Sequence, residues 1–126
     1  LLHNFVTLGG AAVIAEAAAW ARRGGVATEI FVEVLAKGGG AGVTLERMRP
    51  FLEHGDDSGL KFALSNAVKD LGYYATMAAD SGAVQTIAQA VRLDLELGVQ
   101  ALGGERFVPA LVDALAAARV DAPARG

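Results

Sequence analysis

The sequence predicts an all-α fold of about six helices packed around a long central N-terminal helix. Apolar residues recur at helical spacing through most of the chain, and glycine pairs or triplets punctuate it at short intervals. Strand signals are nearly absent. No hairpin dipeptide stands between alternating apolar and polar runs, and the β-branched residues are scattered among Ala and Leu.

The first helix is expected over residues 2–23, stopped by "RRGG", with Arg22 and Arg23 in its last turn and Gly24 or Gly25 as its cap. On a helical wheel Phe5, Leu8, Ala12, Val13, Ile14, Ala15, Ala17 and Ala18 spread around most of the circumference. Such a helix threads between the other helices or between two copies of the domain, and its Ala and Gly residues permit close backbone approach. Thr28 is expected to cap "EIFVEVLAK", with Glu29 at the positive helix end and Gly38, Gly39 and Gly40 as the stop. Thr44 is expected to open "LERMRPFLE", where Pro50 ends or kinks a short helix before the loop "HGDDSG".

Lys61 to Asp80 forms the cleanest long pattern, closed by "SG". Residues 84–102 form the next, closed by "GG". The last runs from Glu105 or Phe107 to Arg119, with Pro109 in its first turn. The helical domain is thus expected over 1–119, with "VDAPARG" (120–126) as a frayed tail.

The bulk composition narrows the function. With 126 residues, 53% hydrophobic and 20% charged, the chain fits one domain with a real core and is too apolar for disorder. Eleven Lys+Arg against 14 Asp+Glu, a net charge of −3, leave no basic face for nucleic acid. Without Cys there is no disulfide, thiol nucleophile or Cys-built zinc site, which fits a reducing cytoplasmic setting. His3 and His54 share no metal-ligand spacing, so no metal is expected. "FVTLGGAAVIAEAAAWARR" lacks a basic leader, and Glu16 in its middle argues against both a secretory signal and a membrane span.

Few residues stand out as carriers of chemistry. In "LKFALSNAVKDLGYYATMAAD", Leu64, Val68, Leu71 and Ala75 define a core stripe. On another stripe Lys69 falls between Phe62 and Tyr73, flanked by the small residues Ser65, Gly72 and Thr76. A Lys so placed could hold a phosphate, carboxylate or ribose oxygen, the small neighbours leaving room for the ligand. Spacing alone favours a solvated cation resting its stem on an aromatic. The "KGGGAG" turn invites a phosphate-cradle reading, but no strand precedes it and no P-loop Lys-Ser/Thr follows, so a helix stop and mobile loop is preferred. His3 and Asn4, taken singly, read as surface or capping groups.

The order of features is more specific than any one of them. Asn4 opens an Ala-rich helix with "AEA" at 15–17. A glycine-closed helix and a Gly-rich stretch follow, then Phe62, then "KDL" at 69–71 inside a long helix. This order resembles the C-terminal helical domain of the β-hydroxyacid dehydrogenases, which include 3-hydroxyisobutyrate dehydrogenase and tartronate semialdehyde reductase and are related to 6-phosphogluconate dehydrogenase. The resemblance covers residues 1 to about 117.

It implies an NAD(P)-dependent oxidoreductase acting on a small hydroxy acid. NAD or NADP would be bound mainly by an N-terminal Rossmann domain absent from this chain, and the helical domain would shape the substrate pocket and the interface of a homodimer or higher homo-oligomer. In the family's Lys-x-x-x-Asn motif Asn4 matches the Asn, a substrate ligand, and the catalytic Lys falls one position before Leu1. Residues at i and i+4 share a helix face, so both would address one substrate hydroxyl. Lys69 matches the Lys that approaches the cofactor, with Phe62 beside it, which displaces the solvated-cation reading. The isolated domain is expected to be inactive. Imine reductases, related proteins that replace that Lys, are one alternative; a non-enzymatic helical dimerisation module is another.

Overall fold

The computed structural model describes residues 1–120, and among these the order of elements is α1 (Leu2–Arg23), α2 (Thr28–Ala36), α3 (Val43–His54), α4 (Leu64–Asp80), α5 (Thr86–Leu102) and α6 (Leu111–Ala117). Short 3-10 turns at Asp57–Gly59 and Val108–Ala110 lie between them. The expected all-α architecture is the one observed. Of the tail expected at 120–126, residues 121–126 lie outside the described residues.

α1 touches every other helix, as expected of a central element. By length and composition it is apolar enough to cross a membrane, yet here its inner side is buried by protein. Its buried residues are Leu8 and six alanines: Ala11, Ala12, Ala15, Ala18, Ala19 and Ala21. Side chains this small let neighbouring helices approach closely. The wheel suggested apolar burial all round, whereas the outer side, with Leu2, Val6, Val13 and Trp20, is exposed. The core continues through Leu45, Met48, Leu64, Leu71, Leu95 and Leu111, each at most 1% exposed.

α1 stops where "RRGG" indicated. Gly24 is the cap, and Gly25 takes the left-handed φ of +77°. Gly25 N–H then donates to Arg22 O and Val26 N–H to Ala21 O, which closes the Schellman motif.

Several boundaries differ from expectation, each for a visible reason. Thr28 does not cap α2: Ala27 is already extended and its carbonyl accepts from Phe31 N–H at 3.0 Å, so Thr28 falls inside the first turn. Gly42 likewise accepts from Glu46 N–H at 3.1 Å, starting α3 at Val43 rather than Thr44. Pro50 does not end α3. It removes one backbone donor, the partner of the Glu46 carbonyl, and the helix runs on to His54.

α4 begins at Leu64 rather than Lys61. Val108 N–H donates to Phe62 O and Leu64 N–H to Arg106 O, both at 2.8 Å, and Ala63 forms an isolated antiparallel bridge with Phe107. These bonds hold residues 61–63 out of the helix. α5 starts at Thr86, after Gln85 at φ −137°. The last helix is split: Pro109 lies in the 3-10 turn, and α6 proper ends at Ala117.

Candidate functional site

The N-terminal turn of α1 lies against the middle of α4. Phe5 packs on Tyr74 with ring centroids 4.3 Å apart and planes tilted by 36°, which fixes the crossing. One turn of side chain away, Asn4 Nδ2 donates to Asp70 Oδ2 at 2.9 Å, in a half-buried contact that bridges 66 residues of sequence. The fold therefore brings Asn4 and the "KDL" segment to one place.

Asp70 settles the orientation of Asn4. The Asn4 amide nitrogen is the donor in this contact, so its amide oxygen takes no part in it. Sequence reasoning quoted Asp70 within "KDL" but gave it no role. The available signal was its place on α4, one residue from Lys69 and on the side that meets α1.

Lys69 is exposed, its Nζ 6.0 Å from the Tyr73 ring centroid. Phe62 does not share its stripe as the wheel implied, because residues 61–63 are extended and no longer follow the helical period. Phe62 is half-buried against the core. The core stripe of α4 is also rotated: Leu64 and Leu71 are buried as expected, Val68 and Ala75 only partly, and Ala67 and Ala78 are buried with them.

Of the small neighbours of Lys69, Gly72 is covered by protein, whereas Ser65 and Thr76 are exposed, and Thr76 lines a groove of about 650 Å³ with Tyr73, Met77, Asp80 and Ser81. A Cβ on Gly72 would lie 3.4 Å from the Arg92 guanidinium carbon, and one on Gly104 2.8 Å from Ser65 Cβ. Thr76 donates its hydroxyl to Gly72 O at 3.1 Å. At Gly72, α4 faces α5. The open side carries Asn66, Lys69 and Tyr73, all exposed, with Asp70 and Asn4 between them and α1.

The glycine turn is a connector in this structure: Ala41 N–H donates to Gly38 O at 3.1 Å, and Gly40 lies on Leu35 so closely that a Cβ there would fall 2.6 Å from its Cδ2. His3 and His54 are both exposed, and the latter lies 3.9 Å from Glu53.

An asparagine bonded to a carboxylate, beside an exposed lysine, on two crossed helices forms a polar edge. The described residues contain no strand-to-helix phosphate turn. The class defined is an all-α domain with a polar edge where α1 crosses α4. The family model described as NAD-binding of NADP-dependent 3-hydroxyisobutyrate dehydrogenase matches residues 1–115. The chain belongs to that family of NAD(P)-binding β-hydroxyacid dehydrogenases. No curated protein matches the chain.

Proposed function

We propose that this chain is the helical domain of an NAD(P)-dependent oxidoreductase acting on a small hydroxy acid, working in the cytoplasm as a homodimer, with the substrate held at Asn4. The observation that carries this reading is the Asn4–Asp70 hydrogen bond, which joins the two family motifs at one polar edge. Asn4 presents its amide oxygen to the substrate hydroxyl. Asp70 keeps that amide from flipping. Lys69 meets an oxygen of the cofactor or of the substrate carboxylate, and Phe62 supports the segment that leads into α4.

The nicotinamide, when bound, supplies hydride transfer; its phosphates are held by an N-terminal dinucleotide-binding domain. Phe5 N–H donates to Leu1 O at 2.9 Å, so the helical register is in place at Leu1. A Lys one position before it would stand one turn from Asn4, within reach of the same hydroxyl, and would move its proton. This chain alone is accordingly inactive.

The test joins the chain to its upstream dinucleotide-binding domain and follows nicotinamide absorbance with a panel of small hydroxy acids. Asn4→Ala and Lys69→Ala are expected to lower kcat/KM at least about tenfold each, about 1.4 kcal/mol of transition-state binding. Undiminished kcat/KM in both variants refutes the site.

A further inference from the structure

Among the described residues, one buried side-chain nitrogen has no hydrogen-bond partner: Nε of Arg92, on α5. Glu96 Oε1 stands 3.1 Å from it but off the line of the N–H, so it offsets the charge without accepting a hydrogen bond. Leaving such a donor dry lowers stability, and an apolar side chain of similar reach would fill the place without that penalty. Packing therefore does not account for the guanidinium.

Its seat is Gly72 on α4. A Cβ there would stand 3.4 Å from Arg92 Cζ and Nη2 and 3.6 Å from Nη1, so a side chain at 72 would crowd the guanidinium. With Nε covered, the 43% exposure of the Arg92 side chain falls on its stem and its two Nη groups. Those groups form the fork that meets a carboxylate or phosphate with paired N–H bonds.

Residues three apart on a helix have Cβ atoms about 5–6 Å apart, so the guanidinium over Gly72 stands beside Lys69. Around α4, Gly72 lies about 60° to one side of Lys69 and Asp70 about 100° to the other. The order across this edge is Asn4 with Asp70, then Lys69, then Arg92. Asp70 bonds Asn4, and Glu96 makes its closest approach at Nε, so neither caps the Nη end. Lys69 Nζ lies 6.0 Å from the Tyr73 ring centroid, and from Tyr73 the groove of about 650 Å³ runs on past Thr76 and Met77. Its carboxylate, Asp80, is about 16 Å from Lys69 along the helix axis.

We propose that Arg92 and Lys69 together hold a second anionic group of the hydroxy-acid substrate, a carboxylate or a phosphate, so that the assembled enzyme prefers dianionic hydroxy acids. The proposal rests on the reading that places the substrate at Asn4, and it names the substrate class. The reacting hydroxyl lies at Asn4, the distal anion lies between Lys69 and the Nη groups of Arg92, and the carbon chain crosses α4 between them. Arginine suits the place because its planar fork grips two oxygens at once, while Lys69 adds a point charge beside it. A monoanionic hydroxy acid leaves the fork empty and forgoes that contact.

Titration of the 126-residue chain with inorganic phosphate at about pH 8, where phosphate is a dianion, tests the anion site apart from activity. The Arg92 Nε–H and Tyr73 ring signals are followed by NMR. We expect both to shift with phosphate and with malonate, and acetate at matched ionic strength to bind at least about tenfold more weakly. By the Tyr73 signal, Arg92→Gln and Lys69→Ala should each weaken phosphate at least about tenfold, Arg92→Lys by less, and Arg47→Gln on α3 not at all. Gly72→Ala, which crowds the guanidinium, should weaken it too and decides the matter if Arg92→Gln does not fold. Joined to its upstream domain, the protein should turn over dianionic hydroxy acids with kcat/KM at least about tenfold above their monoanionic analogues, and Arg92→Gln should erase that preference without raising the KM of the nicotinamide cofactor. Absent shifts, or equal shifts with acetate and phosphate, overturn the anion site. Turnover with no preference for dianions overturns the substrate class and leaves the Asn4 reading standing. A raised cofactor KM in Arg92→Gln assigns the anion to the cofactor and overturns the substrate class as well. Phosphate bound at Arg92 with no hydroxy acid turned over overturns the oxidoreductase reading and leaves the anion site standing.

Discussion

Breaking the Asn4–Asp70 pair tests the site without needing a substrate. A hydrogen bond to a charged acceptor contributes about 1.5–3 kcal/mol, and partial exposure of this one reduces the expected coupling to about 1 kcal/mol. Asn4→Ala, Asp70→Ala and the double variant form a cycle, each followed by urea denaturation. Each single change should lower stability by about 1–2 kcal/mol, because it leaves the other polar group half-buried and unpaired, and the double change should lower it by less than the sum. Asp70→Asn sharpens the point. It keeps an acceptor for Asn4 but no longer dictates which way the amide faces, so it should preserve most of the stability while lowering kcat/KM in the assembled enzyme. A coupling below about 0.3 kcal/mol would mean that the two side chains do not hold each other, and the orientation argument for Asn4 would fall with it.

Two further outcomes follow from the packing. Asp94 keeps its proton to about 7 in the folded chain against 3.8 as a free carboxyl, so between those values the folded state binds more protons and stability falls as pH rises. Asp94→Asn should flatten that decline and raise the urea midpoint at pH 8 relative to wild type; an equal decline in both chains would refute the assignment. Gly59→Ala would set a Cβ 2.2 Å from the Arg47 carbonyl oxygen, a backbone atom that cannot rotate away. A loss of about 2–3 kcal/mol, near 10 °C in a thermal melt, is expected, and an unchanged melt would show that the 57–59 turn yields freely.

The helices were legible because their periodicity and glycine stops are local. "RRGG" marked the end of α1 within a residue, and Gly25 adopts the backbone conformation that such a stop uses. What misled the reading was tertiary. Lys61, Phe62 and Ala63 continue a good helical pattern, yet backbone bonds to residues 106 and 108 pull them straight, and no local signal announces a partner more than 40 residues away. The same holds for the site. Asn4 and Lys69 were found through motif order, whereas Asp70 acquires its role only from a helix that arrives across 66 residues. Gly72 looked like open space because a wheel shows which side a residue occupies and not what stands opposite; Arg92 of α5 stands there, whereas Ser65 and Thr76 are exposed as expected. Val13 was counted toward an encircled helix for the same reason.

The alanine face of α1 has a consequence of its own. Six of its seven buried side chains have no rotamers, so seating the central helix forfeits almost no side-chain freedom, and contact is made by backbone against backbone. Only Leu8 on that face can hop between conformers to absorb a small shift. The helix that carries Asn4 is consequently indexed like a keyed shaft: its neighbours can move it as a rigid whole or leave it in place, and a larger residue at Ala11, Ala15 or Ala19 would reach the site as a displacement of Asn4, about 10–22 Å away along the axis.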